Sequence, residues 1–523
     1  MSPEPAEHTL RGQSGPRQRP DACPGVIALH QAADGGLARV RVPGGVLTAA
    51  QLQVLSRAAE ELGDGDLELT SRANLQIRAL PASAASELSQ RLYDAGLLPS
   101  FTHERVRNIV ASPLSGLDGL SSYDVLPVAA ELDRLLCASA SLAELPGRFL
   151  FTLDDGRGDL AGIPSDAGVR AVARSDVRTP DVRMGGDDVV AELILAGAGT
   201  GLSVRWPGVA GLLTEVAAAF LAERAAQRST AWHVAELDDG PARLRDRIRH
   251  SDGAPITTAP TPTSDSTTPA VSATNHAAAA DLAGAAPAVG GSAARSRVSL
   301  PPDRDGTDDG FRRRGSGTAA PEIGAHVQRP DENGARVGAR AATVAWGGVD
   351  ASREPSVPPE QGQEGIRSGG GVDERVAVVV AVPLGRLNVV QARALASLAD
   401  ASGGTVRVTP WRSVVVPDVV AAGNWRVLLG EAGLVVEPGS PWIGMTCCAG
   451  RPRCAKALAD VRSDATRALP LLPAGRAVHW SGCERRCGRP GDAIDVVAVG
   501  NGYEVDGVTA GDVVAAVATA RGA

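Results

Sequence analysis

Five of the seven cysteines in this 523-residue chain fall between residues 447 and 487. They make two pairs. Cys448 and Cys454 have five residues between them, and Cys483 and Cys487 have three. Four soft thiolates suit a cubane iron–sulfur cluster, in which each iron takes one anionic sulfur ligand. A structural zinc site is a second reading, although its knuckles usually leave about two to four residues between ligands. The second pair fits that spacing and the first is too wide. Four unrelated thiols are a third reading, against which stands the Gly and Arg context that both pairs share. Gly450, Gly482 and Gly488 let backbone pass close to a cluster and offer it N–H groups. Arg451, Arg453, Arg485 and Arg486 would offset its negative charge. Neighbouring residues on an extended segment face opposite sides, so one of Cys447 and Cys448 is surplus, and spacing selects Cys448. Cys23 and Cys137 stand alone and read as ordinary thiols.

Two similar stretches must position these residues. ARVRVPGGVLTAAQLQVLSRAAEEL is followed by DLELTSRANLQIRAL, and AVVVAVPLGRLNVVQARALASLADAS by TVRVTPWRSVVVPDV. Each opens on a β-rich run ending at a proline, Pro43 or Pro383. Each continues with a capping box, Thr48 before Gln51 and Asn388 before Gln391. Leu52, Leu55, Ala59 and Leu62 share one helix face, as do Leu395, Leu398 and Ala399. An alternating strand follows, Leu67/Leu69 or Val406/Val408, and later a helix ending in Ala-Gly-Leu at 95–97 or 432–434. The order of these matches indicates an internal duplication whose halves pack about a pseudo-twofold axis, with the site expected between them.

Residues 236–372 are compositionally distinct, containing TTAPTPTSDSTTPAVSATNHAAAADLAG and lacking sustained apolar periodicity, so they read as a disordered insertion. The expected organisation is a disordered tail at 1–19, a half-domain at 20–100 and an α+β domain at 101–235. After the insertion come a second half-domain at 373–440 and a cysteine-bearing α+β domain at 441–523. The net charge of −8 gives no basic field for nucleic acid. No apolar run is long enough to span a bilayer, and the first residues lack a secretory h-region. A cytoplasmic protein is expected. GDGDLELT and AGAGTG lack the strand–GxGxxG–helix context of a dinucleotide site.

Taken together, the chain resembles the nitrite/sulfite reductase family. The resemblance rests on Arg41-Val-Pro-Gly-Gly, Thr70-Ser-Arg72-Ala-Asn74-Leu-Gln76, Arg107-Asn108-Ile, Cys448-x5-Cys454 and Ser-Gly-Cys483-x3-Cys487-Gly. It covers nearly everything outside the tail and the insertion. Within the family, DACPGVIALHQAADGGLARVRVPGG is most similar to the precorrin-3B synthase branch of aerobic cobalamin biosynthesis. The resemblance implies an α+β fold: two ferredoxin-like half-domains about a pseudo-twofold, with two α+β cofactor-binding domains. It implies a 4Fe-4S cluster on the four cysteines, with Cys487 bridging to sirohaem iron in the reductases. It also implies that Arg41, Arg72 and Arg107, with Asn74, Gln76, Asn108 and Arg148 nearby, meet an anionic tetrapyrrole. Arg suits that role because its planar fork binds carboxylate in bidentate fashion.

The chain departs from the reductases at their Lys-x-Lys segment, which here is Arg148-Phe-Leu150. Arg148 replaces one charge, but Leu150 has no proton to deliver. That departure favours the branch whose substrate is itself a tetrapyrrole. Its implied reaction hydroxylates precorrin-3A with O2 and closes the ring A γ-lactone. The reductant is NADH, through a separate reductase or ferredoxin. The alternative is a sirohaem-dependent nitrite or sulfite reductase. The branch also implies a mononuclear non-haem iron. Its facial triad would need two histidines and a carboxylate. His30, His103 and His479 are available, but none has helix-face spacing with another.

Overall fold

The computed structural model describes residues 21, 23–173, 189–249, 257–258, 343–345, 375–491 and 493–522. The expected tail at 1–19 and most of the expected insertion lie outside the described residues. All described residues belong to one compact unit. The folded part extends past 235, however. Gly240–Arg249 is a helix that buries Leu244 and Ile248 against the preceding Val209–Ala226 helix. Its large apolar side chains are Leu244 and Ile248 in a run of Arg and Asp, too sparse to read as a periodic face.

The two half-domains exchange strands. The first sheet runs His30–Ala32, Gly35–Val40, Leu75–Leu80, Asp66–Leu69 and then Arg386–Asn388 from the distant half. The second runs Thr343–Ala345, Arg375–Ala381, Ser413–Val420, Thr405–Val408 and then Val46–Thr48 from the first half. Leu387 thus lies opposite Leu67, and Leu47 opposite Val406. Both exchanged strands end at the capping residue of the next helix. The Ala49–Leu62 and Val389–Asp400 helices therefore leave the two sheets side by side and pack into one shared core.

Both capping boxes form. Gln51 and Gln391 each make a second contact as well. The Nε2 of Gln51 donates to Ala95 O at 3.0 Å, and that of Gln391 to Gly433 O at 3.1 Å. These carbonyls belong to the two Ala-Gly-Leu turns, where Gly96 and Gly433 take φ of 70° and 77°. A side chain is disfavoured in that left-handed region, which is why glycine ends both helices.

The remaining two sheets repeat the duplication. One has parallel strands Ile109–Ala111, Phe151–Asp154 and Ala167–Ala173, then antiparallel Val189–Leu195 and Ala198–Arg205. The other has parallel strands Met445–Cys447, Val478–Ser481 and Ile494–Val499, then antiparallel Gly502–Val505 and Val508–Ala510. In each, a helix joins the first two strands and another follows the last hairpin. AGAGTG falls at the hairpin between Val189–Leu195 and Ala198–Arg205, a strand–strand turn with no helix to bind a phosphate. Among the described residues no helix is long and apolar enough to cross a membrane.

Candidate cysteine centre and arginine pocket

Both cysteine pairs follow the carboxyl ends of parallel strands, where loops of α/β sheets commonly build sites. Cys447 sits opposite Trp480, so the chain leaves the sheet at Cys448 on one strand and just before Gly482 on the other. The loops are laced together. Cys448 N donates to Trp480 O at 2.9 Å and Leu458 N to Gly482 O at 2.7 Å. Within the first loop, Cys454 N donates to Gly450 O at 2.8 Å. The N–H of Gly482 donates to Cys448 Sγ at 3.1 Å and holds that sulfur against the second loop. A Cβ at Gly482 would lie 2.7 Å from the Ala457 Cβ, so only glycine allows this approach.

The four thiols converge. Burial raises the Cys487 pKa, and the neighbouring Cys448, Cys483 and Cys454 each raise it further by mutual repulsion. Yet among the described residues, Asp154, Asp155 and Asp159 are the one group of three or more His, Cys, Asp or Glu ligand atoms within 4.8 Å of one another. Four sulfurs on a single zinc lie about 3.8 Å apart, from a Zn–S bond of about 2.3 Å. The cysteines do not form such a group, so no three of their sulfurs lie within 4.8 Å of one another. Cys447 turns into the apolar core at 4% exposure, and burial pushes its thiol up to about 11.

The positive charges differ from those expected. Arg451 donates to Ala457 O, Arg453 pairs with Asp64 and Glu68, and Arg486 pairs with Asp495. Three of the four expected arginines are thus committed to holding backbone or carboxylates, while Arg485 acts on Cys487. Arg412, buried, and Arg462, half-buried, are the cations beside Cys447 and Cys448. Arg412 Nη2 also donates to Gly488 O at 2.8 Å, next to Cys487. Neither lies within the cysteine motifs: Arg412 comes from the distant half-domain and Arg462 from the helix that follows the first cysteine loop.

The expected arginine pocket forms in part. Arg41 is 1% exposed and donates from Nη2 to Cys23 Sγ at 3.3 Å and from Nε to Arg105 O at 3.2 Å. Its Nη1 is buried without a partner. Burial first, then the repulsion of Arg39 and Arg72, brings the Arg41 pKa down to about 9. Arg72 Nη1 donates to Arg148 O at 2.9 Å, and the Arg148 guanidinium lies 5.0 Å over the Trp232 ring. Arg39 and Cys23, which stood outside the expected site, join this group through an Arg39–Cys23 contact of 3.6 Å.

Arg107 does not join it. Its Nε and Nη2 form a fork on Asp133 at 2.6 and 2.7 Å, and its Nη1 donates to Leu97 O at 3.0 Å. A helix carboxylate and a carbonyl take its donors, so the structure does not bring it into the group around Arg41. Asn74 and Asn108 are buried spacers. Asn74 accepts from Val42 N and donates to Asn108, whose Nδ2 reaches Gly147 O at 3.0 Å. Together they fix the turn after Arg41 against the segment bearing Arg148. Gln76 lies half-buried on the Leu75–Leu80 strand opposite Arg39.

The histidines do not assemble. His103 is used by Ser100, Thr102 and Ser139 O, and His30 lies exposed on a sheet edge. His479 accepts or donates to Thr446 Oγ1 at 2.9 Å. Burial, then Arg412, lowers its pKa to about 3, so it is neutral. Among the described residues no facial triad draws on these three. The Asp154, Asp155 and Asp159 group is tied internally, by Arg157 on Asp155 and by Ser112 on Asp159 at 2.7 Å.

The nitrite/sulfite reductase ferredoxin-like half domain matches residues 30–95 and 370–422, the two strand-exchanged halves. A precorrin-3B synthase of Sinorhizobium sp is 32% identical over 167 residues, which cover 31% of this chain and 36% of that protein. A ferredoxin–nitrite reductase of Synechococcus elongatus is 32% identical over 127 residues, covering 23% and 25%. The aligned part thus spans about a third of the first relative and a quarter of the second. The solved structure of Mycobacterium tuberculosis NirA protein is similar in fold, with a TM-score of 0.58 at 18% identity over 90% of this chain and 74% of that one. Both ferredoxin-like half domains are thus present and exchange strands about the duplicated core, the architecture in which the chain is similar to nitrite and sulfite reductases.

Proposed function

We propose that this chain is an iron–sulfur oxidoreductase that oxidises precorrin-3A, the activity of a precorrin-3B synthase. In this reading Cys448, Cys454, Cys483 and Cys487 hold a 4Fe-4S cluster, and Arg41, Arg72 and Arg148 receive substrate carboxylates. The observation that carries it is the buried, unpartnered Nη1 of Arg41 within a group of four arginines, beside a segment where position 150 is a leucine 1% exposed. A buried guanidinium donor without a partner is costly and calls for an anionic group. Several such cations match a polycarboxylate, whereas Leu150 leaves nitrite or sulfite without a proton donor at that position.

A bound cluster supplies electrons one at a time. The residues of the chain do the rest. Gly482 N–H holds the Cys448 sulfur, and Arg412 and Arg462 balance the charge of the centre. The arginines orient the macrocycle by its acetate and propionate arms. NADH serves as the ultimate reductant through a separate reductase or ferredoxin, and O2 as the oxidant.

A sirohaem-dependent nitrite reductase is the second reading, favoured by the equal 32% identity to the Synechococcus elongatus enzyme. One experiment separates them. Anaerobically purified protein is examined by absorption spectroscopy, then incubated with precorrin-3A, reductant and O2, and the product is weighed by mass spectrometry. A broad iron–sulfur shoulder and a product heavier by one oxygen atom are expected. Sirohaem bands that track nitrite reduction would overturn the proposal.

A further inference from the structure

We propose that His233, oriented by Asp166, is the acid–base residue of the arginine pocket. This rests on the reading of that pocket as the place where a tetrapyrrole reacts. Asp166 is 2% exposed and stands at the start of the Ala167–Ala173 strand. One of its oxygens accepts from Val234 N at 2.8 Å and the other from Leu150 N at 2.9 Å. Both carboxylate oxygens also face His233 Nδ1, at 3.1 and 3.3 Å. The backbone contacts fix the carboxylate, and the carboxylate fixes the imidazole. That leaves Nε2 pointing away from Asp166 on a side chain 31% exposed.

The dyad lies within the pocket's own network. Trp232, next to His233, carries the Arg148 guanidinium over its ring, and Arg148 O receives Arg72. Asp166 acts on Arg72 electrostatically as well. The carboxylate that holds the imidazole therefore also holds the backbone of Leu150, the position that brings only an alkyl chain. A buried Asp behind a half-open His is the arrangement that sets the orientation and tautomer of the imidazole.

The chemistry has a use for it. Inserting one atom of O2 into the substrate and releasing the other as water consumes two electrons and two protons. The electrons come from the reductant. His233 Nε2–H gives one proton to the oxygen that leaves as water, the Nε2–H bond breaking as the O–H bond forms. Solvent supplies the second proton and then restores the first.

The test uses the cluster-loaded full chain. His233→Gln is expected to lower kcat for precorrin-3A oxidation by about 10²- to 10⁴-fold. Its affinity for uroporphyrin III, read by fluorescence, should stay within about threefold of wild type. In protein labelled with nitrogen-15 at histidine, uroporphyrin III should displace the one resonance that His233→Gln removes. A kcat within about threefold of wild type, an equal loss of binding and turnover, or an undisplaced resonance would each overturn the assignment. If wild type reduces nitrite and leaves precorrin-3A unchanged, the tetrapyrrole reading falls by itself. The same variant is then read on nitrite, where an unchanged rate overturns the dyad and a comparable loss upholds it.

Discussion

Arg453, the residue before Cys454, pairs with Asp64 of the first half-domain at 2.6 Å. It also meets Glu68 at 3.3 Å, and Glu68 in turn receives Arg462 at 3.0 Å. Asp64 and Asp66 further bind Arg386 on the exchanged strand. Arg78 completes the clamp by donating to Arg453 O at 3.1 Å. A carboxylate set at the end of one helix and the start of one strand thus fastens the first cysteine loop to the duplicated core.

Glu68 is the hub of that clamp and is 7% exposed. Removing one partner of a buried charge set leaves the others uncompensated, at a cost of about 3–5 kcal/mol. Glu68→Gln is therefore expected to loosen the 448–459 loop and to speed loss of cluster absorbance to a chelator. Wild-type kinetics of cluster loss in this variant would show that the clamp does not support the centre.

The two adjacent cysteines should behave oppositely. Cys483→Ser is expected to abolish the visible absorbance and the acid-labile sulfide. Cys447→Ser should keep both and lose only about 1 kcal/mol of stability, since it exchanges a buried thiol in an apolar core for a hydroxyl. Retained sulfide in the first variant, or its loss in the second, would reverse the ligand assignment.

Deletion of residues 260–340 is expected to leave the melting temperature and cluster content unchanged, because that stretch lacks the apolar periodicity of a core. Starting the deletion at 245 should destabilise the protein by about 2–5 kcal/mol, for it removes Ile248 at 2% exposure from the second core. Calorimetry of the two deletions decides between a boundary at 236 and one after 249.

Asp159 provides a pH test. Burial, then Asp154 and Asp155, raises its pKa from 3.8 to about 6, against the hydrogen bond from Ser112. The folded state therefore holds this proton more tightly than the unfolded chain. The stability it contributes is fully present below about pH 4 and is lost as the pH rises through about 6. Asp159→Asn should raise the melting temperature at pH 8, by an amount worth on the order of 1 kcal/mol after allowing for partial exposure, and leave it unchanged at pH 4. An equal difference at both pH values would remove titration as the cause.

The sequence by itself determined the duplication and both capping boxes, and it offered the two cysteine pairs by their spacing. All of these are written within a few neighbouring residues, where strand and helix periods decide which way a side chain faces. Tertiary structure alone decided which partner each long side chain takes. Arg107 looked like Arg41 in the sequence, yet Asp133 claims it because the Leu126–Ala138 helix brings that carboxylate within reach. Arg412 and Arg462, and not Arg451 and Arg453, flank the buried sulfurs. Arg39 and Cys23 join Arg41, and Asp166 meets His233 across 67 positions of chain. The exchange of strands between halves was hidden for the same reason. A three-residue strand specifies its own extension, but its neighbour is set by how two sheets and two helices share one core.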